Sequence, residues 1–457
     1  MTALTPSLTR LLARRVRTRG AGASDFIAAE RFVRDWLGSY VAGTASPTGR
    51  LLGAYGGRAR DLEARVFLAA ALSHVTETDD LHNASVTHPG CVVVPTAWLL
   101  GRHVGAAGRD FLLSVFSGYE AMTRVGEALG PAHYRMFHNT ATAGVFGAAA
   151  AAARLLGMDE DGWVWAMGSA GTQAAGLWQF NEEGAMSKPL HAGHAAAAGL
   201  RAALLAHEGL TGPDAILEGE RGFFRALCAD ADPDAVLADA PQWKLHETSI
   251  KPYPCCRHVH PAIDAALEIA DGLRSDVALA RVHVLTYPAA LDVTDRPAPR
   301  TPHEARFSLQ YAVATTLIRG RPGLDAFEPA ALEDGRVRAL LERTTVAIDA
   351  QLAAGYPARW GAGVEAVTAD GERVSARRVS ASGDPDNPLA DAELDAKVLG
   401  LMQWAGMTAR RARSLLRRCR RIADDGPLFP LPAIPTAALP SDRSRPRGGR
   451  GSSSQPW

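Results

Sequence analysis

Four short stretches of the 457-residue chain gather side chains that carry charge or move protons near neutral pH. The first, TETDDLHNASVTHPG (76–90), holds Glu77, Asp79, Asp80, His82 and His88. The second, PAHYRMFHNTATAG (131–144), holds His133, Tyr134, Arg135 and His138. SKPLHAGHAAAAG (187–199) adds Lys188, His191 and His194, and SIKPYPCCRHVHPAIDAA (249–266) adds Lys251, Arg257, His258 and His260. A fifth, sparser stretch, TPHEARFSLQYAVA (301–314), carries Arg306 and Tyr311. The second, third and fourth stretches place cations and imidazoles at the mouth of a helical pattern. Such a mouth offers free backbone N–H groups and a partial positive charge, which suits a carboxylate or a phosphate. A lysine there holds an anion as a point charge, and a neighbouring imidazole exchanges a proton near neutral pH.

Plainer readings compete. A lone histidine near a helix end is more often a cap or a satisfied core residue, and the Asp79/Asp80 pair is more often solvated than catalytic. His82 and His88 with either aspartate are a candidate metal set, but their spacing is not HExxH. There is no Walker loop and no GxSxG elbow, and GSAGTQAAG lies in a helical pattern, not between a strand and a helix. Cys255 and Cys256 are adjacent, with no CxxC pair for a metal or cluster.

The elements that must position these groups are mostly helices. Ser24 is a plausible N-cap for SDFIAAERFVRDWLGSYV, where Phe26, Ala29, Phe32, Val33, Trp36, Leu37 and Tyr40 recur at helical spacing. Segments up to about residue 268 continue the pattern, many with faces of only Ala and Gly, which predicts closely packed helices. Strand-like runs follow: ARVHVLTYPAAL, TTVAIDA, and a hairpin in GVEAVTADGERVSARRV turning at Asp370-Gly371. The expected organisation is mainly α: a flexible N-terminal segment (1–22), a large all-helical domain (23–268, with 391–425 returning to it), a smaller α+β lid domain (269–390), and a disordered Pro/Ser/Gly/Arg-rich tail (426–457). Lys+Arg (49) balance Asp+Glu (49), so no global field attracts nucleic acid or an anionic membrane. No apolar run reaches the roughly 18–20 residues of a membrane span. Five cysteines in so long a chain form no disulfide framework, which predicts a cytoplasmic protein.

Together the stretches THPG, VVVPTAWLLG, GPAHYRMFHNTATAG, MSKPLHAGHAAAAG, SIKPYPCCRHVHPAIDAA and HEARFSLQYAVA resemble the MmgE/PrpD family, in order, from about residue 25 to 420. That family includes 2-methylcitrate dehydratase, cis-aconitate decarboxylase and iminodisuccinate epimerase. The resemblance implies a helical domain with an α+β lid, a homodimer, and an active site between the domains that uses no metal or organic cofactor. It implies His88 as the central acid/base, His138 as a second imidazole, Lys188 and Lys251 as carboxylate anchors, and Tyr311 as a tyrosine facing the site. In the first loop, ETDDLHNASVTH carries one residue more than the decarboxylase pattern. Glu77 and Asp80 compete there for the acidic role, and His82 is an addition. His82, His191 and Arg257 complete the expected substrate-binding set.

The residues fit that chemistry. A di- or tricarboxylate needs two cationic anchors, and removing a proton beside a carboxylate needs a base and an acid. A buried lysine without an anion is costly, so the empty site should hold water, an anion or an internal carboxylate partner. The expected activity is dehydration of a 2-methylcitrate-like hydroxy acid. Decarboxylation of a cis-aconitate-like acid, epimerisation of an iminodisuccinate-like acid, and carboxylate binding without catalysis are the alternatives.

Overall fold

The computed structural model describes residues 5–56, 61–274, 277–424 and 427–434. The centre of the larger unit is a pair of Ala/Gly-rich helices, Asn139–Leu155 and Lys188–His207. A Cβ placed on Gly199 would lie 2.5 Å from the Val145 carbonyl oxygen and 2.5 Å from Ala148 Cβ. Only a hydrogen fits there, so the backbones meet at a distance that bulkier residues forbid. Helices Ala23–Ala45, Leu62–His74, Pro89–Val104 and Gly108–Glu127 surround the pair. Trp36, Trp98, Trp163 and Tyr119, each at most 1 % exposed, supply the volume that the alanines lack.

Two terminal expectations are corrected. The segment over 1–22, expected to be flexible, contains the helix Leu8–Thr18, capped by Ser7 Oγ accepting from Arg10 N–H. Leu12, Ala13 and Val16 are fully buried in the main core. The helix's first arginine is tied down as well: Arg10 pairs with Asp161 (2.7 Å) and Asp214 (2.6 Å). In the tail expected to be disordered, residues 427–434 form an extended strap against the helical core; 426 and 435–457 lie outside the described residues. Leu428 and Phe429 are buried, Trp98 Nε1 donates to the Phe429 carbonyl (3.1 Å), and Tyr40 donates to that of Pro432 (2.9 Å). Its prolines have no N–H to satisfy, and the strap docks through its carbonyls and its apolar side chains, with Arg418 over the Phe429 ring (4.2 Å). Leu428→Ala should therefore lower unfolding free energy by about 2–5 kcal/mol and Phe429→Ala by about 3–5 kcal/mol, read by denaturant titration. No change would mean that the strap is not docked in solution.

The smaller unit is built on a four-stranded sheet, in the order Thr344–Ile348, Leu279–Thr286, Ala362–Thr368, Arg373–Arg378. The first pair is parallel and the others antiparallel. The expected hairpin is present, and Gly371 takes the φ of +94° that its turn requires. Helices His260–Gly272 and Leu309–Arg319 share a core with the sheet through Ile263, Val313, Val282, Val284 and Val364. The division thus falls earlier than the expected 268: Tyr253 onward belongs to this second core. The chain then returns to the first unit. In helix Asp391–Trp404, Leu394, Val398 and Met402 join the main core. Buried Arg34 grips the same helix through Asp391 (2.7 Å) and Asp395 (2.6 Å).

Candidate active site

The loop that follows helix Leu62–His74 sets the acidic side of the site. Glu77 and Val86 are held at φ +56° and +50°, the only non-glycine positions with positive φ among the described residues. Such strain persists only where the surroundings impose it. The loop is pinned from behind: Lys397 Nζ donates to the Thr78 carbonyl (2.7 Å) and Thr78 Oγ1 to Ser39 Oγ (2.8 Å). The positive φ turns the Glu77 carboxylate between two lysines. Lys188, the first residue of its helix, donates to Glu77 Oε1, and Lys251 Nζ lies 3.5 Å from Oε2. Burial opposes ionisation of Glu77, but Lys188 and Lys251 more than reverse this and hold it well below the usual carboxylate range. Glu77 is the internal carboxylate that two buried lysines require.

Asp80, the rival for the acidic role, is turned away. Its carboxyl accepts from Gly90 N–H (2.9 Å) and the Tyr119 hydroxyl (2.6 Å), at the start of helix Pro89–Val104. Burial pushes it up to about 8. Its carbonyl, however, meets His88 Nδ1 at 2.6 Å, so Asp80 orients the imidazole through its backbone.

His88 and His138 are each the residue that precedes a helix. Their ring centroids lie 6.4 Å apart, and His74 packs against both, at 4.9 and 5.5 Å. His74 Nδ1 is 2.7 Å from Asp79 Oδ2, which is 3.4 Å from His88 Nδ1. His191 Nδ1 lies 3.3 Å from His138 Nδ1. Burial lowers His88 to about 3, with Asp79 opposing and the two lysines and His74 assisting. Burial and the Lys188 charge put His138 well below its ordinary value, and burial lowers His191 to about 4. Asp79 is itself buried, and His74 and His88 hold it ionised against that burial. His74 and this role of Asp79 were missed: one closes an apolar helix, the other reads as half of a solvated pair.

Glu77, His88, His138 and Lys188 line a narrow cavity of about 30 Å³, together with Tyr134 and Trp178. The smaller unit contributes Arg257, His258, Phe307 and Trp360 to its wall. Lys188 Nζ also sits over the Phe307 ring, 5.2 Å from its centroid. Arg257 faces the cavity with its donors committed, to Asp384, the Ser382 carbonyl (3.1 Å) and His260 Nδ1 (2.9 Å).

Two expected site residues lie elsewhere. Leu81 and His82 form a two-residue strand pairing with Thr248–Ser249. Successive residues of a strand face opposite ways: Leu81 lines the cavity, and His82 turns to Ser85 (2.9 Å), Glu127 and Glu247 (both 3.8 Å). Lys244 bridges those two glutamates at 2.9 and 2.8 Å and offsets part of their charge. His82 and His88 are therefore not joined in a metal set. Tyr311 donates to the Ala326 carbonyl (2.7 Å) inside the second core; its place on helix Leu309–Arg319 packs it against Phe327, away from the cavity wall. The nearest approach to a ligand set at the cavity is His74, Asp79 and Cys91, within 4.8 Å of one another. Burial raises the Cys91 thiol well above its ordinary value, and it donates to the His88 carbonyl (3.2 Å), so it is a poor ligand.

The buried imidazoles bear on acid stability. His88, His133, His138, His191, His258, His260 and His303 are all lowered from 6.5, chiefly by burial. Below 6.5 the unfolded chain binds protons that these groups refuse, so their contribution is complete above 6.5 and lost as pH falls toward their folded values. Glu30, Asp35 and Asp80 are raised and act in the opposite sense, but are fewer. The melting temperature should fall between pH 6.5 and 4.5, in thermal melts at constant ionic strength; a rise would contradict the burial of these rings.

Comparison with known proteins matches this architecture. The MmgE/PrpD N-terminal domain matches residues 22–236, and the MmgE/PrpD C-terminal domain matches residues 253–420. The chain is 28 % identical over 309 residues to the cis-aconitate decarboxylase-like protein oryM of Aspergillus oryzae, covering 62 % of this chain and 64 % of that protein. It is 30 % identical over 291 residues to the cis-aconitate decarboxylase of Homo sapiens, covering 61 % and 60 %. To the 2-methylcitrate dehydratase of Cupriavidus necator it is 24 % identical over 344 residues, covering 70 % and 69 %. The match thus spans less than two thirds of the length of these two decarboxylase relatives. Helical layer, α+β unit and both matched domains agree: this chain belongs to the MmgE/PrpD family.

Proposed function

We propose that this protein is a lyase acting on a short di- or tricarboxylate, and that its reaction is dehydration of a 2-methylcitrate-like hydroxy acid. One observation carries the reading: two buried, neutral imidazoles share a cavity with a doubly anchored lysine–carboxylate cluster. The incoming carboxylates take over Lys188 and reach toward Lys251. Their charge raises the proton affinity of the rings. Neutral His88 accepts the proton from the carbon beside a carboxylate. The electron pair left on that carbon forms the double bond, and the hydroxyl leaves as water with the proton that His138 has taken up once the bound carboxylates raise its proton affinity. Asp79, steadied by His74, stabilises the imidazolium on His88.

Decarboxylation of a cis-aconitate-like acid is the second reading, favoured by the higher identity to decarboxylases. There the imidazolium would protonate the carbon left by carbon dioxide. Purified protein incubated with 2-methylcitrate, citrate and cis-aconitate in deuterated water, followed by proton NMR, separates the two. Loss of water from a hydroxy acid supports dehydration, and carbon dioxide release with deuterium on carbon moves the assignment to decarboxylation. No reaction with any of the three would overturn both.

A further inference from the structure

Two side chains that line the cavity, Trp178 and His258, carry a buried ring nitrogen with no hydrogen-bond partner in the protein. His258 is 2 % exposed, and its Nε2 is buried without a hydrogen bond. Its other ring nitrogen lies 2.6 Å from the Tyr287 hydroxyl. The ring lies flat on Trp360, with centroids 4.2 Å apart and planes 2° from parallel. One contact holds an edge and the other a face, so the imidazole cannot turn. Tyr287 is itself fully buried, and its hydroxyl meets no other acceptor among the described residues. A buried phenol proton is costly to leave unpaired, so it is donated to Nδ1, and the neutral ring then carries its own proton on Nε2. The result is a fixed N–H donor at the cavity with nothing in the protein to accept from it.

We propose that His258 is a substrate contact: its Nε2–H donates to a carboxylate oxygen of the ligand, and Tyr287 is the positioning residue that sets the tautomer. The inference rests on the carboxylate-lyase reading above and adds to it a neutral donor, which selects by direction where the lysines select by charge. Burial lowers His258 to about 3, so the ring stays neutral at working pH. A purely structural role would need only the flat ring on Trp360 and the bond to Tyr287. Neither would leave an unpaired nitrogen at the cavity.

Two substitutions separate the roles. His258→Asn keeps a polar group near the Nδ1 position, facing Tyr287, and loses the cavity donor. His258→Gln keeps an N–H near the Nε2 position and gives up the Tyr287 bond. The readout is calorimetric binding of tricarballylate, an unreactive tricarboxylate, with thermal melts of every variant. His258→Asn should weaken binding about ten- to a hundredfold, the loss of one hydrogen bond to a charged group. His258→Gln should recover most of it, and Tyr287→Phe should cost less than His258→Asn. Equal binding by His258→Asn and wild type, or weaker binding by His258→Gln than by His258→Asn, would overturn the contact while leaving the lyase reading intact. Failure of the wild-type protein to bind tricarballylate would overturn both.

Discussion

Replacing His88 by alanine should reduce kcat on the accepted carboxylate by about a thousandfold, within the range for removing a general acid or base. The fold should survive. His88 precedes its helix without giving it a side-chain cap, so helix Pro89–Val104 loses nothing at its start. The bond lost is that to the Asp80 carbonyl, and water entering the vacated volume can replace it. Steady-state kinetics beside a thermal melt makes the check. Turnover within tenfold of wild type would remove His88 from the chemistry. A collapse of the melting temperature would instead make its role structural.

The second large effect belongs to Glu77. Glu77→Gln removes the one carboxylate that serves both Lys188 and Lys251, leaving two buried ammonium groups without it. Removing one partner of a buried pair costs about 3–5 kcal/mol, and the variant should be destabilised by that much at pH 7. The sign with pH follows from the lowered carboxyl. Its contribution is complete above the unfolded value near 4.5 and is lost as pH falls through the folded one, so wild type and variant should converge in acid. Citrate should restore much of the loss, since an external carboxylate can take Glu77's place. A variant as stable as wild type, or indifferent to citrate, would mean that Glu77 does not neutralise the lysines.

How far the sequence foretold this arrangement depended on the kind of information required. The Ala/Gly runs imply close helix packing because residue size alone decides it. Asp370-Gly371 implies its hairpin because the turn needs a positive φ. The clusters around His88, His138, Lys188 and Lys251 were legible as chemistry, since ionisable residues rarely interrupt apolar runs without purpose. Side-chain direction in irregular segments was not legible. Whether Glu77 or Asp80 meets the lysines depends on a φ of +56° at Glu77, which tertiary contacts impose. His82 was lost to the alternation of a two-residue strand, and Tyr311 to the phase of its helix. The helix Leu8–Thr18 was hidden because its four arginines are interleaved with the residues that dock it.

The cavity has a kinetic consequence. Its volume of about 30 Å³ accommodates a water or two, against ~300 Å³ or more for an ordinary small-ligand site. A tricarboxylate does not fit the cavity as described, so a ligand of the proposed class would enter only after its walls part. The measured affinity is then the intrinsic affinity scaled by the population of the parted state. In a stopped-flow experiment the observed binding rate should level off with rising ligand concentration, at the rate at which the two units separate.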